Sequence, residues 1–388
     1  MNSEQHKYLA FLLSQKSFPA DAFYLNKEFA GKKIIVYGAG ESFHYFKEIV
    51  MRRYGYTPAL VLDRRFQPGD IFEGVPAYPL DAYTPTEDDC CNALVVICLG
   101  NQTYYDDVVH SLRDMGFCNI ISLNDIYEIH NPFCLPSELD RLGFQYYLDK
   151  REQIESCMEL FADELSRDIY VKCLQTHLMR KPVPLPMSSR HEQYTPDDVP
   201  LVRGYARFIY CGVSVGELAS VFRRVGVVEE LVCFEPDPNQ YQLTAAYLSE
   251  NYDDIASRVT VIPCAVYGRD SQEAFTYSDT SFGSRILPSG EFRIQTVTID
   301  HALPGFRPTI ITMDVEGAEL EALRGAETTL RENSPDLAVC VYHSPSHLWE
   351  IPRYINSLGL GYRFYLRNYT SFIGETVLYA VSDISMTR

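Results

Sequence analysis

Two acids one residue apart, Asp314 and Glu316, follow the apolar run at Ile310 to Met313 in the stretch IITMDVEGAELEALRGA. The run reads as a buried parallel strand and Gly317 as a tight turn. Leu320, Leu323 and Leu330 then recur as one face of a helix that Ser334-Pro335 stops. In an open α/β sheet the carboxyl ends of parallel strands border the ligand crevice. Carboxylates placed there can take a proton, position an acceptor or hold a cation. The structural alternative is that Glu316 sits on the helix dipole while Asp314 orders the turn. His343 ends the next buried run, DLAVCVYH, on the same sheet edge. It could deprotonate a hydroxyl. With His347 and the two acids it could instead ligate a metal, and as a capped strand-end histidine it would do neither. Asp314, Glu316 and His343 are taken as the catalytic set, and no metal is assigned.

The run DVEGAELEALRGA resembles the signature of the FkbM-like family of S-adenosylmethionine-dependent methyltransferases, and the resemblance extends from about Tyr205 to Val381. It implies a class I methyltransferase sheet with an antiparallel final hairpin, S-adenosylmethionine as cofactor, and methyl transfer to a hydroxyl of a sugar or glycosylated metabolite. Along ARFIYCGVSVGELASVFRR, a strand runs into a turn and a helix, and Gly212 and Gly216 would let backbone approach the cofactor closely. The expected contacts here are Tyr210, Cys211, Gly212 and Gly216. Tyr210 stands where the family has an acid, and Val213 where it has an alanine. In ELVCFEPDPNQ the carboxylate of Glu235 can accept both ribose hydroxyls. Pro236 fixes the turn and Asp237 caps the helix that follows. Cys264 and Ala265, near the end of VTVIPCAV, are small enough to leave room for an adenine ring. The resemblance also makes Gln193-Tyr194 a segment that closes over the site, and it includes Glu375 and Tyr379 of ETVLYA. His191 reads as a surface histidine. Tyr277 to Ser284 is a candidate rim loop, and Tyr365, Arg367 and Tyr369 a candidate acceptor face.

These residues need two α/β platforms. The expected fold is two Rossmann-like domains joined by a helical connector: a small Rossmann-like domain at residues 1–133, the connector at 134–200 and the methyltransferase domain at 201–388. In the first, GKKIIVYGAGESFHYFKEIV gives strand, glycine turn and helix. Asp63 ends a second strand, where it could hold a ribose hydroxyl. Two further strands follow, at Ala93 to Gly100 and Asn119 to Leu123. Phe43 occupies the third position of a GxGxxG fingerprint, so Gly38 and Gly40 fit either a nucleotide turn or a structural one. The connector carries Ile154, Met158, Phe161, Leu165 and Ile169 on one helical face, with a second helical stretch at Ser137 to Asp149.

The chain has 388 residues, enough for two cores, and 34 basic against 52 acidic side chains give a formal charge of −18. That balance disfavours nucleic acid and anionic membranes as partners. The expected partner is a small-molecule or sugar acceptor, and a homodimer is allowed. Eleven scattered cysteines without a CxxC pair read as buried thiols of a cytoplasmic protein rather than a disulfide or zinc framework. No apolar run reaches membrane-spanning length. Two other functions fit part of the pattern. One is a nucleotide-sugar transferase or NAD-dependent enzyme, against which neither glycine turn completes a dinucleotide fingerprint. The other is a binding module whose Tyr210 marks a lost activity.

Overall fold

The computed structural model describes residues 4–14, 29–40, 42–53, 55–99, 105–123, 146–179, 183–277, 284–287, 290–370 and 373–383. The chain forms two compact units, one of Lys16–Arg141 and Gln175–Pro182, the other of Met1–Gln15, Leu142–Leu174 and Val183–Arg388.

The smaller unit is built on β1 (Ile34–Tyr37), β2 (Leu60–Leu62), β3 (Asp70–Phe72), β4 (Val75–Tyr78), β5 (Leu94–Ile97) and β6 (Asn119–Ser122), in the spatial order β3-β4-β2-β1-β5-β6. All pairs are parallel except β3 with β4. Alternation along the strands sends Ile34, Val36, Val61 and Val96 to one core and Ile35, Leu62, Val95 and Ile97 to the other, so both faces are covered. The β3–β4 hairpin was not expected from the sequence. It turns through Glu73 and Gly74, both left-handed, a two-residue turn without the usual Asn-Gly signal. Phe43 is buried against Phe46 and Phe72. A ring therefore packs this helix on the sheet where a third glycine would allow closer approach.

In the larger unit the chain enters β7 (Arg207–Cys211), β8 (Glu230–Phe234) and β9 (Val259–Ile262). It then forms β10 (Ala265–Val266), β11 (Ser271–Thr276), β12 (Arg285–Ile286) and β13 (Phe292–Val297), and returns through β14 (Ile310–Met313), β15 (Asp336–Cys340), β16 (Arg363–Asn368) and β17 (Thr376–Val381). Seven strands lie in the order β16-β17-β15-β14-β7-β8-β9. Strand β17 runs antiparallel to both neighbours, and the other pairs are parallel. The order reverses between β7 and β14, the switch point at which an open α/β sheet leaves a crevice. Strands β10 to β13 form a separate four-stranded sheet, so the expected single strand through VTVIPCAV is divided at Pro263-Cys264.

The helix expected over Glu319 to Asn333 is two, Glu319–Arg324 and Glu327–Asn333. Gly325 lies between them because a Cβ there would fall 2.1 Å from the Tyr267 carbonyl oxygen. Within the expected connector the structure has the helices Arg151–Met158 and Glu164–Met179. Most of the stretch Ser137 to Asp149, and residues 278–283 of the expected rim loop, lie outside the described residues. Tyr365, Arg367 and Tyr369 are at most 7% exposed, so the proposed acceptor face is a packed one. Arg367 is held there by Asp198 at 2.6 Å and Asp163 at 2.7 Å. Among the described residues no helix is long and apolar enough to cross a membrane.

Candidate active site

Register brings the candidate residues together. Cys211 stands opposite Phe234 on one side and Met313 on the other. The residues just beyond these three strand ends, Gly212, Glu235 and Asp314, therefore share one edge. Gly212 is left-handed (φ 78°), and a Cβ on it would stand 1.7 Å from the Asp314 carbonyl oxygen. Only glycine fits between the two strand ends. Its N–H donates to the Phe234 carbonyl at 3.0 Å, which ties the loop to β8. Ser214 then caps the helix Val215–Val225.

Glu235 is 7% exposed. Its Oε2 accepts the Val213 N–H at 3.2 Å and its Oε1 the Asp237 N–H at 2.8 Å. Burial raises its pKa to about 7, while the two N–H donors oppose the rise. Each oxygen keeps a second acceptor position for a ligand hydroxyl. Asp237 caps the helix Pro238–Glu250 and accepts the Ser284 hydroxyl at 2.8 Å.

The turn after β14 is held by a residue that sequence reading passed over. Glu319 is fully buried, and its Oε1 accepts the N–H of Val315 at 3.0 Å, the N–H of Gly317 at 3.3 Å and Nδ1 of His343 at 2.8 Å. Glu316 and Gly317 are both left-handed within that turn. The signal was present in sequence as an acid three residues after Glu316, at a helix start. Nε2 of His343 lies 3.4 Å from both Asp314 Oδ1 and Glu316 Oε2. Burial alone would lower the pKa of His343, but the carboxylates of Glu319 and Glu316 raise it well above the usual imidazole value. The ring is therefore an imidazolium among three acids. Burial would likewise raise Glu319, and His343 holds it low instead. His347 Nδ1 lies 3.2 Å from the other Glu319 oxygen. A carboxylate thus fills the space between the two histidines.

Asp314 accepts from the phenols of Tyr194 at 3.1 Å and Tyr342 at 3.3 Å. Its pKa is raised to about 7, first by burial; His343 opposes the rise, and Glu375, Glu316 and Glu319 add to it. Glu217, Asp314 and Glu375 converge, with one oxygen from each within 4.8 Å of the others. Burial, then Glu375 and Asp314, push Glu217 well above the carboxylate range. Gln193 donates to Glu375 at 2.7 Å, so the Gln193-Tyr194 segment does reach the site acids. Tyr194, Glu316 and Glu375 are three of the five left-handed non-glycine residues among those described. Backbone conformations of this kind collect where surrounding structure must hold a functional side chain.

Some of these groups line a cleft with about 760 Å³ of empty space including its open mouth. Gly212, Glu235, Pro236, Ala265, Asp314 and Glu316 line it, as does Glu217. Phe234, Val266, Phe275 and Ile286 give it an apolar side. Of the other sequence candidates, Tyr210 and Cys211 are fully buried within β7, and neither lines the cleft. The Tyr210 hydroxyl instead lies 3.4 Å from Glu217 Oε2. Gly216 is exposed, and a Cβ there would meet nothing within 4 Å. Cys264 does not line the cleft, and His343 is buried behind the acids. His191 is exposed in the turn Arg190–Glu192.

A seven-stranded sheet with an antiparallel β17 next to β15, and a crevice at the β7/β14 switch point edged by Glu235 and the β14 acids, defines a Rossmann-like methyltransferase domain. Residues 211–369 match the methyltransferase FkbM domain. A methyltransferase FkbM from Methylobacillus flagellatus KT has a similar structure over 97% of this chain and 99% of its own, with a TM-score of 0.67 and 18% identity, a likeness of fold. A fibrillarin from Aeropyrum pernix, solved with natively bound S-adenosyl-L-methionine, aligns over 49% of this chain and 72% of its own at 12% identity, with a TM-score of 0.31. No curated protein matches the chain.

Proposed function

We propose that the larger unit is an S-adenosylmethionine-dependent methyltransferase that acts on a hydroxyl of a sugar or glycosylated metabolite. The observation that carries this is the cleft that Gly212, Glu235 and Asp314 line together. The residues fit the cofactor. Glu235 retains acceptor positions for the ribose hydroxyls, and Ala265, Val266, Phe275 and Ile286 offer an apolar slot for a flat base. Glu217 bears on the departure at Tyr210. The helix brings a carboxylate to the cleft next to the tyrosine that replaces the family's acid, which favours an active site over a degenerate one.

When bound, S-adenosylmethionine supplies a sulfonium methyl that passes to an incoming oxygen while the C–S electron pair returns to sulfur. The chain's own part is to place that oxygen and take its proton. Asp314 is the proton acceptor, since a pKa of about 7 leaves it ionised in mild alkali and still basic enough to accept. His343, already cationic, positions Asp314 and Glu316 rather than serving as base. The Tyr194 and Tyr342 phenols fix the Asp314 carboxylate.

The test is calorimetry with S-adenosylhomocysteine, alongside NAD and a UDP-sugar, on the intact chain and on Glu235→Ala. Binding of the thioether nucleoside that falls by about 1–3 kcal/mol in the variant supports the reading. Retention of NAD or the UDP-sugar by the Glu235 crevice, with none of the thioether, overturns it.

A further inference from the structure

The smaller unit repeats the hydrogen-bond arrangement of the crevice just described. Gly38 follows β1 as Gly212 follows β7, left-handed at φ 99°. Its N–H donates to the last carbonyl of the neighbouring parallel strand, Leu62 at 2.8 Å, as that of Gly212 donates to Phe234. A Cβ on Gly38 would fall 2.4 Å from the Cys98 carbonyl just beyond β5, as one on Gly212 would strike the carbonyl just beyond β14. The next N–H, that of Ala39, donates to Asp63 Oδ2 at 2.8 Å, and the N–H of Arg65 donates to Oδ1 at 3.1 Å. Val213 and Asp237 do the same for Glu235. Both units thus place an acid on the second strand's end, fixed by two N–H groups and beside a glycine turn at the sheet's switch point.

The chemistry around the repeat differs. Beyond β14 stand Asp314 and Glu316, and beyond β5 stand Cys98 and Leu99, which carry no charge. After Glu235 come Pro236 and Asp237, and after Asp63 come two arginines. The Arg65 side chain is half exposed, 3.1 Å from Asp63, and its guanidinium would be 3.5 Å from a Cβ on Gly40. A cation therefore lies over the glycine turn, where the larger unit has acids and an apolar slot.

We propose that the smaller unit is a second nucleotide crevice, formed by Gly38, Ala39, Gly40, Asp63 and Arg65, whose ligand carries a nucleoside 5′-diphosphate. Asp63 takes the ribose hydroxyls, and the glycine-turn backbone with Arg65 takes the phosphates.

The full chain is titrated by calorimetry with UDP and ADP, and with uridine and adenosine, with and without excess S-adenosylhomocysteine. One equivalent of either diphosphate should bind, about tenfold or more tighter than its nucleoside, and Arg65→Ala should weaken it by about tenfold. Arg65 is used because its side chain is half exposed, whereas Asp63 accepts two backbone N–H groups of the turn. Binding must persist in Glu235→Ala, which separates this outcome from any failure of the methyl-transfer reading. No saturable binding of either diphosphate, binding indifferent to Arg65→Ala, or binding abolished by Glu235→Ala or displaced by S-adenosylhomocysteine overturns the proposal.

Discussion

The phenol of Tyr194 donates to the carboxylate of Asp314 at 3.1 Å, joining residues 120 positions apart. Tyr194 is fully buried and left-handed, and its own N–H donates to the Tyr379 hydroxyl at 3.0 Å. The segment before β7 is thereby part of the site and is anchored to the terminal hairpin.

A donor on an ionised carboxylate favours its charged form. Tyr194→Phe should therefore raise the pKa of Asp314 further and move the acid limb of the rate profile to higher pH. The rate at pH 7 should fall by about tenfold and recover partly at pH 9. An acid limb that does not move would separate Tyr194 from the proton acceptor.

Asp314 has a folded pKa of about 7 against an ordinary 3.8. Between those values the folded chain keeps a proton that the unfolded chain has lost, so this group makes stability fall as pH rises through the window. Asp314→Asn should be more stable than the parent at pH 8, by on the order of 1–3 kcal/mol, with the gain shrinking toward pH 4. Methyl transfer should fall by about 100-fold or more. Urea midpoints at the two pH values read the sign directly, and a variant less stable at pH 8 would contradict the raised pKa of the buried Asp314.

Glu319 has the opposite sign. Its lowered pKa contributes stability above the ordinary value of 4.5, lost as pH falls below it, while the raised His343 contributes below 6.5 and loses its share as pH climbs through its folded value. The pair is fully effective between those values. Glu319→Gln should cost about 3–5 kcal/mol at pH 6, by leaving the imidazolium without its buried partner, and less at pH 3. Chemical unfolding at both values checks this.

The two glycines of the loop should separate cleanly. Gly212→Ala forces a Cβ 1.7 Å from a backbone oxygen at positive φ, and a loss of more than about 3 kcal/mol, or no folded larger unit, is expected. Gly216→Ala meets nothing within 4 Å and sits in a helix, where alanine is favoured by about 0.5–1 kcal/mol. Its melting temperature should rise with cofactor affinity unchanged. Equal losses for the two would contradict the loop geometry.

Much of this protein is written locally. Strand runs such as Ile310 to Met313 and Leu231 to Phe234 are apolar enough to be buried on both faces, and the acids that end them fall at strand ends by position alone. Glu235, Gly212, Ala265, Asp314 and Glu316, which line the cleft, could therefore be named from sequence, together with the likeness to the methyltransferase FkbM domain and the antiparallel final hairpin. Local pattern also misled where chain–chain contact intervenes: Gly325 breaks an apparently continuous helix because another backbone runs against it, and Gly216 looked like Gly212 until packing distinguished them. Tyr365, Arg367 and Tyr369 alternate as an exposed face would, yet Asp163 and Asp198 cover and neutralise the arginine. What the sequence could not decide is how the acids share charge. Asp314, Glu217 and Glu375 come from three distant segments, and whether each is ionised depends on burial and on the neighbours that register and topology bring within a few ångströms. Residue types and spacing set which groups reach the crevice, and only the tertiary structure, through desolvation and mutual repulsion, sets which of them carries the proton.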